Sequence, residues 1–261
     1  FTYQWYSNSP PNTLLPGETN NTYIPNTSVP GTTTYYCIVS QPGLGCEVVS
    51  NLAEVVVVPA PLITTQPQDR AVCEGGTVAP INVAYSNGTG VASYQWFSNS
   101  TNSNSGGTII IGATTDSYNP PSTNVGTVYY YCEITFSSGG CTLITSNTAE
   151  VSIFQIPVIV AQNVVTCSGD LLNFVPQPGS GNTVPANTLY TWNLVSINPV
   201  GSVTGATNET VPQTGLIQTL INSTNQVGTV TYAVTPIAGI CTGNSFTVDV
   251  LVYPKPVVVF D

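Results

Sequence analysis

One motif occurs twice in this chain. It reads TYYCIVSQPGLGC at 34–46 and VYYYCEITFSSGGC at 128–141, a tyrosine-rich run with two cysteines nine positions apart. Longer stretches repeat around it. YQWYSNS at 3–9 matches YQWFSNS at 94–100, and SNLAEVVVV at 50–58 matches SNTAEVSIF at 146–154. A more divergent third copy runs from YTWNL at 190–194 through VTYAVTP at 230–236 to SFTVDVLV at 245–252. Trp5, Trp96 and Trp192 mark the same place in each copy, 91 and 96 residues apart. That period is too long for a helical solenoid repeat and fits one small β domain per copy.

Alternation identifies the secondary structure. Val128, Tyr130, Cys132, Ile134 and Phe136 fall on one face of an extended chain, and Tyr129, Tyr131, Glu133 and Thr135 on the other. This period of two predicts a half-buried strand, FSSGG a turn, and 142–153 a returning strand. The 21 prolines and 23 glycines interrupt the chain every few residues, and no stretch has helical periodicity. The fold class expected is all-β, with tandem antiparallel sandwiches arranged end to end. Proline-rich joints at VVVVPAPLI, SIFQIPVIV and VLVYPKPVVV divide the copies and are semi-rigid. The expected domains are 1–58 (the C-terminal part of a truncated domain), 59–155 (complete), 156–254, and 255–261 as the start of a following one. The chain thus reads as a piece of a longer array.

The order within a copy resembles an immunoglobulin-like domain: GGTVAPINVAY at 75–85, then YQWF, then GTVYYYC and a hairpin. On that resemblance Trp96 takes the core position of strand C, as do Trp5 and Trp192 in their copies. Tyr130, two residues before Cys132, takes the tyrosine corner, with Tyr35 and Tyr232 as its counterparts. The strand-B cysteine falls instead at Val83, so the usual inter-sheet disulfide is not available to Cys132.

Seven cysteines in so short a chain point to an oxidising compartment, and the odd count to an unpaired thiol or an outside partner. Three pairings compete. Hairpin bonds would join Cys37 to Cys46 and Cys132 to Cys141. In the third copy Val234 replaces the first hairpin cysteine while Cys241 remains, and its companion there is Cys167. The simplest pairing is therefore Cys167 with Cys241 and, by analogy, Cys73 with Cys141. In an immunoglobulin sandwich, however, those positions lie at opposite ends. That permits a third pairing, from the turn cysteine of one copy to the hairpin cysteine of the next, such as Cys73 with Cys241. All three make the cysteines structural.

Composition narrows function. Charged residues are 5% of the chain, with two cations (Arg70 and Lys255) against twelve carboxylates, a net charge of −10. Two cations cannot neutralise a row of phosphates, so no nucleic-acid partner is expected. No apolar run is long enough for a membrane span, and no membrane insertion is expected of this segment. With no histidine there is no Ser-His-Asp or Cys-His arrangement, and zinc is disfavoured. The acids are scattered singly. Catalysis, a cofactor and a metal are therefore not expected, although Glu54, Asp69 and Glu74, or Glu150 and Asp170, are candidate junction calcium ligands. Tyr35, Tyr36, Tyr118, Tyr129 and Tyr131 could form a sugar-stacking surface, with 97–118 as a variable loop region beside it.

The combination VCEGGT…YQWFSNSTNSNSGGTIIIGATTDSYNPPSTNVGTVYYYC…GCTLITSNTAEV resembles the immunoglobulin-like and PKD-like modules of very large secreted surface proteins of Bacteroidetes. SprB-like gliding-motility adhesins are the nearest type. CSGD…YTWNL…GTVTYAVTP…GICTGNSFTVDVLVYPKP looks like the PKD-like member. The resemblance implies export by the type IX secretion system, attachment to the outer membrane and coupling to the surface motility machinery. It implies a stalk that projects a distal binding region, with neighbouring domains of the same chain as partners. The alternative is a carbohydrate-binding module, or a spacer of a secreted polysaccharide-degrading enzyme, with surface polysaccharide as partner.

Overall fold

The computed structural model describes residues 1–8 and 11–256. The expected start of a further domain falls mostly on 257–261, outside the described residues. Every regular element among the described residues is a strand. The chain packs as two compact units.

The first unit comprises Phe1–Pro67, Asn82–Tyr118 and Tyr130–Thr148. Thr2–Ser7 pairs antiparallel with Gly31–Gln41, placing Trp5 opposite Cys37. Gly31–Gln41 pairs on its other flank with Cys46–Val49 and Ala53–Val57. Along Gly126–Ser138 the expected inward set Tyr130, Cys132, Ile134 and Phe136 is buried, whereas Val128 is exposed. Tyr131 is buried against expectation, because its ring stacks on Phe97 at 5.0 Å and its hydroxyl accepts the Gly107 N–H. Val83 and Trp96 join the same buried set.

The returning strand expected over 142–153 is two strands, Leu143–Thr145 and Ala149–Phe154. The break has a local cause. Ser146 Oγ accepts the Cys132 N–H at 2.9 Å and donates to the Asn147 carbonyl, so a side chain stands in for the ladder. Ser50 makes the same substitution at Cys37. The repeated Ser-Asn of SNLAEV and SNTAEV is thus a built-in bulge.

The second unit comprises Gln68–Ile81, Asn119–Tyr129 and Ala149–Asp261. Its larger sheet runs in the order Gln162–Cys167, Phe246–Tyr253, Gly228–Ala238, Leu189–Asn198, Glu209–Gln213. The first two strands are parallel and the other pairs antiparallel. Burial alternates without exception along Gly228–Ala238, as a strand with one face on a core requires. Tyr190, Trp192, Tyr232, Val230 and Val248 meet Leu172, Leu216 and Leu220 in one cluster. Arg70–Cys73 lies parallel to Ala149–Phe154 in this unit.

Burial raises the acids of these cores. It pushes the Cys132 thiol up to about 12 and the Tyr130 hydroxyl up to about 12, and raises Tyr232 as well. The folded state therefore holds these protons more tightly than the unfolded chain. Their contribution is fully present below the ordinary thiol value of 9.0 and is lost as pH rises towards 12. The urea midpoint is expected to fall between pH 9 and pH 11, and to fall less in Cys132→Val, which copies Val234 of the third repeat. Equal losses in the two proteins would contradict this.

Candidate functional site

Register decides which cysteines can meet. In the first hairpin Gln41 faces Cys46, and Cys37 lies opposite Ser50. In the second, Glu133 faces Thr145, which places Ser146 opposite Cys132. The hairpin pairs Cys37–Cys46 and Cys132–Cys141 are therefore not formed, and in each the first cysteine is buried and the second exposed.

The pairing of Cys167 with Cys241 is likewise not formed. Cys167 faces Tyr253 at one end of Phe246–Tyr253, whereas Cys241 sits by Ala238, beyond the Val234–Phe246 pair at the other end. Seven residues of strand separate those ends by about 23 Å, and a disulfide needs Cα atoms within about 7 Å. Cys73 is not joined to Cys141 either; it bonds Cys241, with Cα atoms 5.6 Å apart and a sequence separation of 168. Cys141 and Cys167 are exposed thiols. Of the three pairings open in the sequence, the structure holds the one between successive copies.

The surroundings of this bond anchor both of its sides. Asp69 Oδ1 accepts the Glu150 N–H at 2.7 Å, and the Arg70 guanidinium donates to the carbonyls of Ala79 and Pro80. The Glu74 N–H donates to the Phe154 carbonyl at 2.8 Å, tying the chain just after Cys73 to the neighbouring strand. Past Phe154, Val158 and Thr183 exchange N–H bonds in both directions, Val160 N–H reaches Asn182 Oδ1, and Ile159 is buried in the core cluster. The hairpin that carries Cys241 closes over this stretch. A Cβ at Gly243 would lie 2.1 Å from the Pro157 carbonyl oxygen, so only glycine allows the approach. The proline joint is thus held by backbone bonds, by packing and by one covalent link.

The other candidate residues are dispersed. Trp96, Trp192, Tyr130 and Tyr232 are buried core residues, Tyr35 is buried and Trp5 is half-buried. Each tryptophan Nε1–H donates to a loop carbonyl: Asn20 for Trp5, Thr115 for Trp96, Thr207 for Trp192. Tyr131 and Tyr35 are buried, Tyr118 packs on Trp96 and Tyr130, and Tyr36 stacks on Tyr6. These rings do not assemble into one platform. The 97–118 segment is tied to itself by Asn99, whose amide donates to Ser103 and Ser105. Asp170 pairs with Lys255 at 3.1 Å, and Glu150 accepts from Tyr129 and Ser152. Among the described residues no three His, Cys, Asp or Glu side chains gather around a common point.

Gln4 and Gln95 perform a task that the reading of the sequence missed. Gln95 Nε2 donates to the carbonyls of Trp96 and Ile110, and Gln4 Nε2 to those of Trp5 and Leu15. The signal was the glutamine shared by both YQW motifs.

Residues 164–256 match the model of the PKD-like domain, and residues 63–155 match that of a domain of unknown function, DUF8696. The fold is a tandem of immunoglobulin-like and PKD-like β-sandwiches. Among curated proteins no sequence matches the chain. Similar solved structures include the I-band fragment I67–I69 of titin, at 13% identity over 97% of this chain and 88% of that one, TM-score 0.45. Sidekick-1 immunoglobulin domains 1–5 align at 13% identity over 97% and 54%, TM-score 0.43. Three domains of the outer capsid protein Hoc of bacteriophage RB49 align at 9% identity over 98% and 88%, TM-score 0.39. No helix among the described residues is long and apolar enough to cross a membrane.

Proposed function

We propose that the chain is a stalk segment of a long extracellular surface protein, whose consecutive sandwiches carry tension to a distal binding region. The proposed domains are those of the repeat, 59–155 and 156–254, flanked by 1–58 and by 255–261. The SprB-like resemblance adds outer-membrane attachment, type IX export and the surface motility machinery as the source of tension.

One observation supports this reading above the others: the parallel pairing of first and last strands. Gln162–Cys167 and Phe246–Tyr253 share six register pairs, from Gln162–Val248 to Cys167–Tyr253. Once the Cys73–Cys241 bond is reduced, tension entering before Gln162 and leaving after Tyr253 pulls parallel neighbours in opposite directions. It loads all their bonds together in shear rather than one at a time.

The test compares two pulling directions under reducing conditions. With handles at Ala161 and Pro254 the module is sheared. With handles at Gly228 and Val252, which face each other across an antiparallel pair, it is unzipped. The shear geometry is expected to unfold at the higher force. Equal forces would remove the mechanical reading.

A further inference from the structure

Three cysteines, Cys46, Cys141 and Cys167, are exposed thiols, while Cys73 and Cys241 are bonded. The geometry points to a rule that covers all five. Cys167 stands in its copy where Cys73 stands in the preceding one, and the correspondence extends to individual bonds. Cys73 is in register with Phe154, the last residue of its neighbouring strand, and Cys167 with Tyr253, the last of its own. The next residue donates to that same carbonyl, Glu74 to Phe154 and Ser168 to Tyr253, both at 2.8 Å. The N–H three positions on closes the turn, Gly76 to Cys73 and Asp170 to Cys167. Gly75 and Gly169 share left-handed φ angles of 74° and 78°. Cys167 is therefore already presented as Cys73 is, without a partner.

The other ends match as well. Cys241 follows a glycine-led turn in the last hairpin of its copy, where it is paired with Ala238. Cys46 faces Gln41 after the glycine turn of the first hairpin, and Cys141 follows Gly139 and Gly140 in the second.

We propose that Cys73–Cys241 is one link of a repeating relay, in which the turn cysteine of each module bonds the hairpin cysteine of the next. Cys167 is an outgoing half-link that takes the hairpin cysteine of a following module. Cys46 and Cys141 are incoming half-links that take the turn cysteines of preceding ones. The partner in each case is another module of this kind in the same chain. The chemistry is thiol–disulfide exchange with a disulfide oxidant such as oxidised glutathione. The Cys167 thiolate attacks the glutathione disulfide, forming a mixed disulfide and releasing one glutathione thiolate. The hairpin thiolate then attacks the Cys167 sulfur and releases the second. Two protein thiols lose two electrons and two protons, and one glutathione disulfide becomes two thiols. The relay holds whether or not the chain carries tension, so its failure and that of the stalk reading are separable.

Register prescribes the test. Tyr253 corresponds to Phe154, so a chain of residues 1–253 followed by a second copy of 155–261 reproduces the joint. After oxidation with oxidised glutathione, alkylation and digestion, mass spectrometry is expected to find Cys73 joined to the first Cys241 and Cys167 to the second. The second Cys167 should be alkylated. A companion chain, 59–154 followed by 59–261, tests the incoming side: its first Cys73 should join the second copy's Cys141. Protease resistance of each added copy reports that it has folded. The relay is overturned if Cys167 is alkylated beside a folded second copy, or is cross-linked to another molecule, or if the first Cys73 of the companion stays free.

Discussion

Stretched from its two ends, the oxidised chain is expected to yield roughly 600 Å less extension than the reduced chain. Tension applied at the termini passes from Cys73 to Cys241 through the disulfide. The 168 positions between them, at about 3.5 Å each, never come under load. Trp96, Tyr130, Trp192 and Tyr232 all lie in the protected stretch, so most of the buried aromatic core is shielded. Addition of reductant, or Cys73→Ser without it, should restore the missing length. The same measurement separates the three pairings. Cys167–Cys241 and Cys73–Cys141 would shield stretches of roughly 260 and 240 Å in two separate domains, and hairpin bonds only tens of Å. Identical extension with and without reductant would mean that Cys73 and Cys241 are not joined.

This effect depends on position rather than on thermodynamic stabilisation. A loop of this size would stabilise a single cooperative domain by roughly 5 kcal/mol in the chain-entropy treatment. Here the two ends belong to successive copies. If each copy folds by itself, the bond restricts mainly the joint. Its contribution to unfolding by urea should then be well below that figure, while its effect under tension is at full size.

Much of the fold was legible because it depends on short-range pattern. Period-two burial along 132–136 follows directly from side-chain alternation, and the three tryptophans marked the corresponding strand of each copy. The bulge at Ser146 was not read, although SN-x-AEV was plainly repeated, because a side chain replacing a ladder bond leaves no periodicity. The glutamine of YQW was visible, but its acceptors at Leu15 and Ile110 lie in loops that differ between the copies. The disulfide was the hardest. Spacing along the chain favours partners within a copy, whereas the immunoglobulin resemblance placed those positions at opposite ends. The parallel register of Gln162–Cys167 with Phe246–Tyr253 decides between the two by putting Cys167 and Cys241 at opposite ends. The sequence did carry the equivalence of VCEGG and TCSGD, which the structure reproduces bond for bond.

Trp96→Ala and Trp192→Ala are each expected to cost about 3–5 kcal/mol, the range for emptying a buried aromatic site. Both rings are almost fully buried, at 0% and 3% exposure, and both Nε1–H groups satisfy a loop carbonyl. Trp5→Ala should cost clearly less. Its ring is half-buried, although its Nε1–H bond to Asn20 is the same in kind. The comparison thus isolates burial from hydrogen bonding. Trp96→Phe supplies the other half: it keeps most of the apolar ring and leaves the Thr115 carbonyl without that donor, a loss of about 1–2 kcal/mol. Trp96 and Trp192 lie in different compact units, so the double variant should show the sum of the single losses. Urea unfolding followed by circular dichroism gives all five values. Equal losses at Trp5 and Trp96 would mean that burial does not set the scale, and strong non-additivity of Trp96 with Trp192 would mean that the cores do not fold separately.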